Sequence, residues 1–143
     1  MKIAILHDYF DKRGGGERLV INLARKLGAD IFTGYIKREK TFDTSGIKIT
    51  EMGVSSRLPA GLRHIAIAKK FADYEFPKYD CYLFSGVWCI AAAKNNHPNV
   101  FYCHTPPRYM YDLKNYFLAE LGPIKRFALK NAYGDVLPKD KDA

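Results

Sequence analysis

Residues 1–28 read MKIAILHDYFDKRGGGERLVINLARKLG, and this stretch decides the fold. The short apolar run Lys2 to Leu6 has the length and continuity of a strand buried on both faces of a parallel sheet. His7 to Gly16 is polar and glycine-rich and reads as a loop. From Glu17 onward, Leu19, Val20, Leu23, Ala24 and Leu27 recur at helical spacing, and Gly28 stops the helix behind Lys26 and Leu27. Strand, long loop, helix is the opening unit of an α/β protein.

The pattern repeats outward from there. Asp30 to Tyr35 reads as a second strand, returning as a right-handed crossover requires, and the alternating Ile47 to Met52 as a third. After a loop from Val54 to Pro59, Gly61 to Tyr74 has a mixed helical pattern. Tyr79 to Phe84 is a fourth strand, Ser85 and Gly86 a turn, Val87 to Asn95 an alanine-rich buried helix and Asn99 to Cys103 a fifth strand. Tyr109 to Leu121 is helical, with Met110, Leu113, Phe117 and Leu121 on one stripe, and residues 135–143 form a frayed tail. Short apolar strands alternating with helices predict an α/β, Rossmann-like parallel sheet with helices on both faces. At 143 residues the chain is expected to be a single domain.

Lys and Arg number 23 against 15 Asp and Glu, a net charge of +8 that favours anionic partners. The basic residues lie in short clusters, Lys37 to Lys40, Lys69 to Lys70, Lys125 to Lys130 and Lys139 to Lys141, which also suit solvated faces. Nothing matches a zinc knuckle, a helix-turn-helix or an RNA-binding strand motif, so no nucleic-acid partner is expected. Cys81, Cys89 and Cys103 lack the spacing of a redox or zinc motif and point to reduced thiols. The longest apolar run, Val87 to Ala93, is too short to span a bilayer. His7 and Asp8 interrupt the first apolar stretch too early for a signal peptide. The expected location is cytoplasmic, with contact at the membrane's inner surface at most.

Ligands of open parallel sheets bind beyond the carboxyl ends of the strands, which selects His7 and Asp8 after the first strand, Ser85 and Gly86 after the fourth, and His104 and Thr105 after the fifth. Gly14, Gly15 and Gly16, with Glu17, stand at a helix amino terminus. There they form either an amide cradle for a diphosphate or sugar, or a plain flexible loop with Glu17 complementing the helix dipole. The glycines lie too far from the first strand for a dinucleotide fingerprint, and Leu19 fills the third-glycine position. Glu17 and Arg18 stand where a P-loop needs Lys and Ser or Thr. Ser85-Gly86 reads first as a turn and helix cap and second as a ligand donor. Cys103 and His104, as neighbours on an extended chain, point to opposite sides and do not pair as nucleophile and base. No spacing among His7, Asp8 and His104 supports a metal.

The opening strand, the segment GGGERLVINLARKL and the segment VFYCHTPPRYMYDL together resemble the first domain of glycosyltransferase family 4, particularly its mannosyltransferase-like polysaccharide members, over about Met1 to Leu121. The resemblance implies a retaining, metal-independent enzyme of the GT-B architecture, with two Rossmann-like domains. In it the second domain holds the nucleotide of a GDP- or UDP-sugar, and the first holds a glycan or lipid-linked acceptor. It implies that Gly15, Gly16 and Glu17 approach the donor diphosphate and sugar, and that His104 lies by the transferred sugar. Arg108, Tyr109 and Asp112 would lie near the acceptor, or on an ordinary helix surface. After Leu121 the sequence departs from the family, and the motifs of the donor domain do not follow. The chain is therefore expected to be a truncated, acceptor-side half, inactive unaided, with no cofactor of its own. The alternative is a non-catalytic module that binds a sugar or phosphate ligand, or a subunit that pairs with a separate donor domain.

Overall fold

The computed structural model describes residues 1–104. Five strands, β1 Ile3–His7, β2 Asp30–Thr33, β3 Ile49–Glu51, β4 Cys81–Phe84 and β5 Asn99–Phe101, form one sheet in the order β3-β2-β1-β4-β5. Every neighbouring pair is parallel. Helix α1 spans Gly15–Leu27 and α2 Ala60–Asp73, with 3-10 helices at Arg38–Lys40 and Cys89–Asn95. The α/β class read from the sequence is the fold observed.

β1 lies at the centre, buried along its whole length, and its alternation sorts the core into two clusters. Ile3 and Ile5 join Val20, Ile21 and Ala24 of α1, together with Phe10, Ala29 and Ile31. Ala4 and Leu6 face the other way, toward Phe32, Ile67 and Phe71 of α2, and Phe84, Cys89 and Ala92. This is the period-two segregation a strand covered on both sides requires. Gly28 closes α1 at φ +60°, a left-handed conformation that glycine adopts without a Cβ penalty, while Ala29 N–H donates to the Ala24 carbonyl at 3.0 Å.

Several boundaries differ from the sequence reading. His7 belongs to β1 rather than to the loop, α1 starts at Gly15, and the third, fourth and fifth strands are shorter than their apolar patterns. Val87 to Asn95 is not a buried α-helix. Its helical part is the 3-10 helix Cys89–Asn95, in which Cys89 and Ala92 alone are buried. Three residues per turn bring positions i and i+3 to the same side, so two small side chains suffice to seat it on the sheet. β5 is the sheet edge, with Val100 and Phe101 exposed.

Candidate functional site

The strand order reverses at β1: the chain runs outward through β2 and β3, then returns to lay β4 on the other side of β1. The crevice of such a sheet opens at this switch point, between the carboxyl ends of β1 and β4. His7 and Asp8 end one strand there, and Ser85 and Gly86 the other.

Asp8 is buried, and its carboxylate accepts hydrogen bonds from the backbone amides of Val87, Trp88 and Cys89 at 2.9, 3.0 and 2.7 Å. It supplies the cap of the 3-10 helix from a distant strand, the role that local sequence assigned to Ser85-Gly86. A Cβ on Gly86 would lie 2.5 Å from the Asp8 Oδ1, so glycine is required there by the approach of the carboxylate. Asp8 and Gly86 thus build the floor of the crevice. With three donors already on it, the carboxylate is a structural acceptor.

Ser85, buried, turns its hydroxyl the other way, sharing a 2.8 Å hydrogen bond between Oγ and His104 Nε2. The Ser85 carbonyl accepts from His7 Nδ1. A carbonyl only accepts, so the His7 proton sits on Nδ1 and the neutral ring keeps Nε2 as an acceptor. Burial holds the His7 pKa below its ordinary value, against the opposing pull of Asp8. Cys89 lies under the same floor, its Sγ donating to the Leu6 carbonyl at 3.3 Å. Burial first, and then Asp8, push its thiol well above the usual range. A protonated buried thiol is no nucleophile.

Gly16 and His104 meet at this place. A Cβ on Gly16 would stand 3.9 Å from His104 Cε1, so the ring lies against the first turn of α1. The amides of Gly15, Gly16 and Glu17 precede the first intrahelical bond, Arg18 N–H to the Gly14 carbonyl at 3.1 Å. Glu17 is buried and folds back beside Gly14, where a Cβ would collide with its carboxylate. The His104 imidazole at Gly16 and the Glu17 carboxylate at Gly14 thus both lie beside the first turn of α1. Comparison with protein-family models, curated proteins and solved structures yields no match. Thr105, Arg108, Tyr109, Asp112, the helix expected over 109–121 and the tail 135–143 lie outside the described residues.

Sequence reasoning overlooked a row of rings on the α2 side. Tyr9 stacks on Tyr35 (centroids 5.2 Å apart, planes 5° apart) and on His64 (6.3 Å, 11°), and His64 stacks on Trp88 (4.9 Å, 15°). The Arg63 guanidinium covers Tyr9 and Tyr35 at 5.9 and 5.7 Å. Tyr9 and Tyr35 each lie two residues past the ends of β1 and β2, close to the positions that the strand-end rule selects. Among the described residues, no group of three or more His, Cys, Asp and Glu is arranged to hold a metal ion.

Proposed function

We propose that the chain is the acceptor-side half of a GT-B glycosyltransferase that transfers a hexosyl group, mannosyl in the reading the resemblance favours, from a nucleotide sugar to a saccharide or lipid-linked acceptor. The observation that supports this is the contact of Gly16 with His104 beside the β1–β4 switch point, which puts the amino terminus of α1 and an imidazole next to each other.

The chemistry suits the arrangement. As the bond from sugar to diphosphate breaks, negative charge grows on the leaving phosphate and positive charge on the sugar ring. The amides of Gly15, Gly16 and Glu17, which take no part in the hydrogen bonds of α1 and lie at its positive end, stabilise the first. Glu17 and His104 take and give hydrogen bonds to sugar hydroxyls, and the Ser85 hydroxyl fixes the ring of His104. A carboxylate among the amides favours a hydroxyl-rich ligand over a bare phosphate, since it repels the anion and accepts from the hydroxyls.

Backbone amide NMR of the isotope-labelled chain, titrated with GDP-mannose and UDP-glucose, tests this. The expected result is saturable shifts at Gly14 to Glu17, Ser85 and His104 that weaken in His104→Ala. Shifts confined to other regions, or none with any nucleotide sugar, overturn it. Supplying a separate donor-side domain then divides the two classes: sugar transfer marks an enzyme half, and binding without transfer marks a recognition module.

A further inference from the structure

The row of rings on the α2 side carries polar groups that the protein leaves unused. Tyr35, buried, gives its hydroxyl to Asp11 at 2.9 Å. The next three members, Tyr9, His64 and Trp88, are half-buried. Among the described residues Tyr9 Oη, the His64 ring nitrogens and Trp88 Nε1 have no hydrogen-bond partner, and none of these atoms is shut off from solvent. Because each ring stacks on its neighbour, the row presents its edges rather than its faces. Asp8 fixes it beside the crevice, since Tyr9 follows Asp8 in the chain and the Trp88 amide donates to the Asp8 carboxylate at 3.0 Å.

Arg63 adds a charge to this line. Its guanidinium stands at nearly equal distances from Tyr9 and Tyr35, 5.9 and 5.7 Å, so it flanks the stacked pair. Nη1 donates to the Ser56 carbonyl at 3.0 Å, while Nε is buried without an acceptor. Arg63 forms no ion pair among the described residues. The carboxylates that act on Tyr9 are engaged elsewhere, Asp11 by the Tyr35 hydroxyl and Asp8 by three amides. A partly desolvated cation gains from tyrosine rings, but it gains more from an oxyanion.

A nucleobase binds an aromatic residue through an open ring face, which a stacked row does not offer. A saccharide needs unshared donors and acceptors at the rim of an apolar body, and the row offers these. Burial, and then Arg63, hold the His64 pKa below its ordinary value, so near neutral pH its ring supplies one donor and one acceptor. The Tyr9 phenol is pushed up by burial and then by Asp11, and it keeps its proton to donate. We propose that Tyr9, His64 and Trp88 form a saccharide-binding strip beside the crevice, and that Arg63 selects an acidic sugar, one bearing a carboxylate or a phosphate. The role of this ligand as acceptor rests on the glycosyl-transfer reading, within which the acceptor is an anionic glycan.

Trp88 is the chain's only tryptophan, so its fluorescence reports on the strip directly. The full chain is titrated with glucuronate, glucose phosphate, glucose and inorganic phosphate. A saturable change is expected with at least one acidic sugar, which identifies the anion, at an affinity about tenfold above that for glucose and above that for inorganic phosphate. Arg63→Gln is expected to remove this preference and leave glucose binding in place. Tyr9→Phe, which keeps the stack, is expected to weaken acidic and neutral sugars alike while the preference persists. Unchanged circular dichroism verifies folding; where Arg63→Gln unfolds, Arg63→Lys, which keeps the charge without the fork, is expected to retain part of the preference. The inference is overturned by no saturable response to any sugar, by equal affinity for glucose and the acidic sugars, by inorganic phosphate binding as tightly as glucose phosphate, or by a preference that survives Arg63→Gln undiminished. A response to acidic sugars, without any shift at Gly14 to Glu17 on adding nucleotide sugars, supports the strip and removes the transfer reading, so the two fail separately.

Discussion

The two faces of the sheet solve the same packing problem with different side chains. Toward α1 the core is mainly aliphatic, Ile3, Ile5, Val20, Ile21, Ala24 and Ile31, with Phe10 buried among them and Phe42 packed at its margin. Toward α2 it is largely aromatic, Phe32, Tyr35, Phe71, Tyr79, Tyr82 and Phe84. Each tyrosine hydroxyl there has its own acceptor: Asp11 for Tyr35 at 2.9 Å, Asp30 for Tyr79 at 2.6 Å and the Pro77 carbonyl for Tyr82 at 2.9 Å. An aliphatic face asks only for volume. An aromatic face with polar tips asks for volume and direction, so it fixes the loops that carry the acceptors and thereby shapes the crevice beside them.

The largest test of this contrast is truncation on each side. Phe71 is fully buried and packs near Phe76, with centroids 6.3 Å apart. Phe71→Ala is expected to cost about 3–5 kcal/mol, and Ile21→Val on the other face about 0.5–1.5 kcal/mol. Denaturant unfolding of the purified chain measures both. Equal losses would mean that the aromatic side collapses around its cavity as readily as an aliphatic one.

Asp8 comes next. Asp8→Ala leaves the amides of Val87, Trp88 and Cys89 without their acceptor, at about 2–3 kcal/mol in total since two of the three sites are only partly buried. Asp8→Asn, which keeps one oxygen, should lose less. A loss under about 1 kcal/mol in Asp8→Ala would show that water replaces the carboxylate, and that the 3-10 helix holds its place by Cys89 and Ala92 alone.

How much of this the sequence discloses follows from how local each feature is. The class of fold, the five strands and the carboxyl stop of α1 depend on periodicity and on one glycine, and all are legible. The fifth strand reads to Cys103 because its apolar pattern continues through Tyr102 and Cys103, whereas the last ladder bond is from Tyr102 N–H to the Phe84 carbonyl and the strand ends at Phe101. The 3-10 helix reads as α because its alanines fit either period, and the deciding contact comes from Asp8, far away in the chain. Strand ends pointed to His7, Ser85 and His104, but the contact of Gly16 with His104 and the row from Tyr35 to Trp88 are products of tertiary folding. A smaller expectation belongs here: Tyr35→Phe, which deletes only the bond to Asp11, should cost about 1 kcal/mol. A cost near zero would mean the polar tips are not what distinguishes this face.

The finest distinction is electrostatic and lies on the aliphatic side. His7 shares a face with Ile3 and Ile5, its ring 4.7 Å from Phe10, and burial holds its pKa below the ordinary 6.5. The unfolded chain then takes up the His7 proton at a higher pH than the folded one. Stability is full above 6.5 and falls as the pH drops through the lower folded value. His64, among the rings of the other face, is lowered by burial and then by Arg63, and acts with the same sign. Asp43, held low by Ser45, titrates beneath the histidine window and does not contaminate it. His7→Asn retains a donor for the Ser85 carbonyl without the titration. Thermal unfolding between about pH 7.5 and 5 should show a loss of stability in the native chain, a smaller one in His7→Asn, and almost none when His64→Gln is added. If His7→Asn loses as much as the native chain, His7 accepts its proton in place, and the face called aliphatic has polar relief that its packing does not reveal.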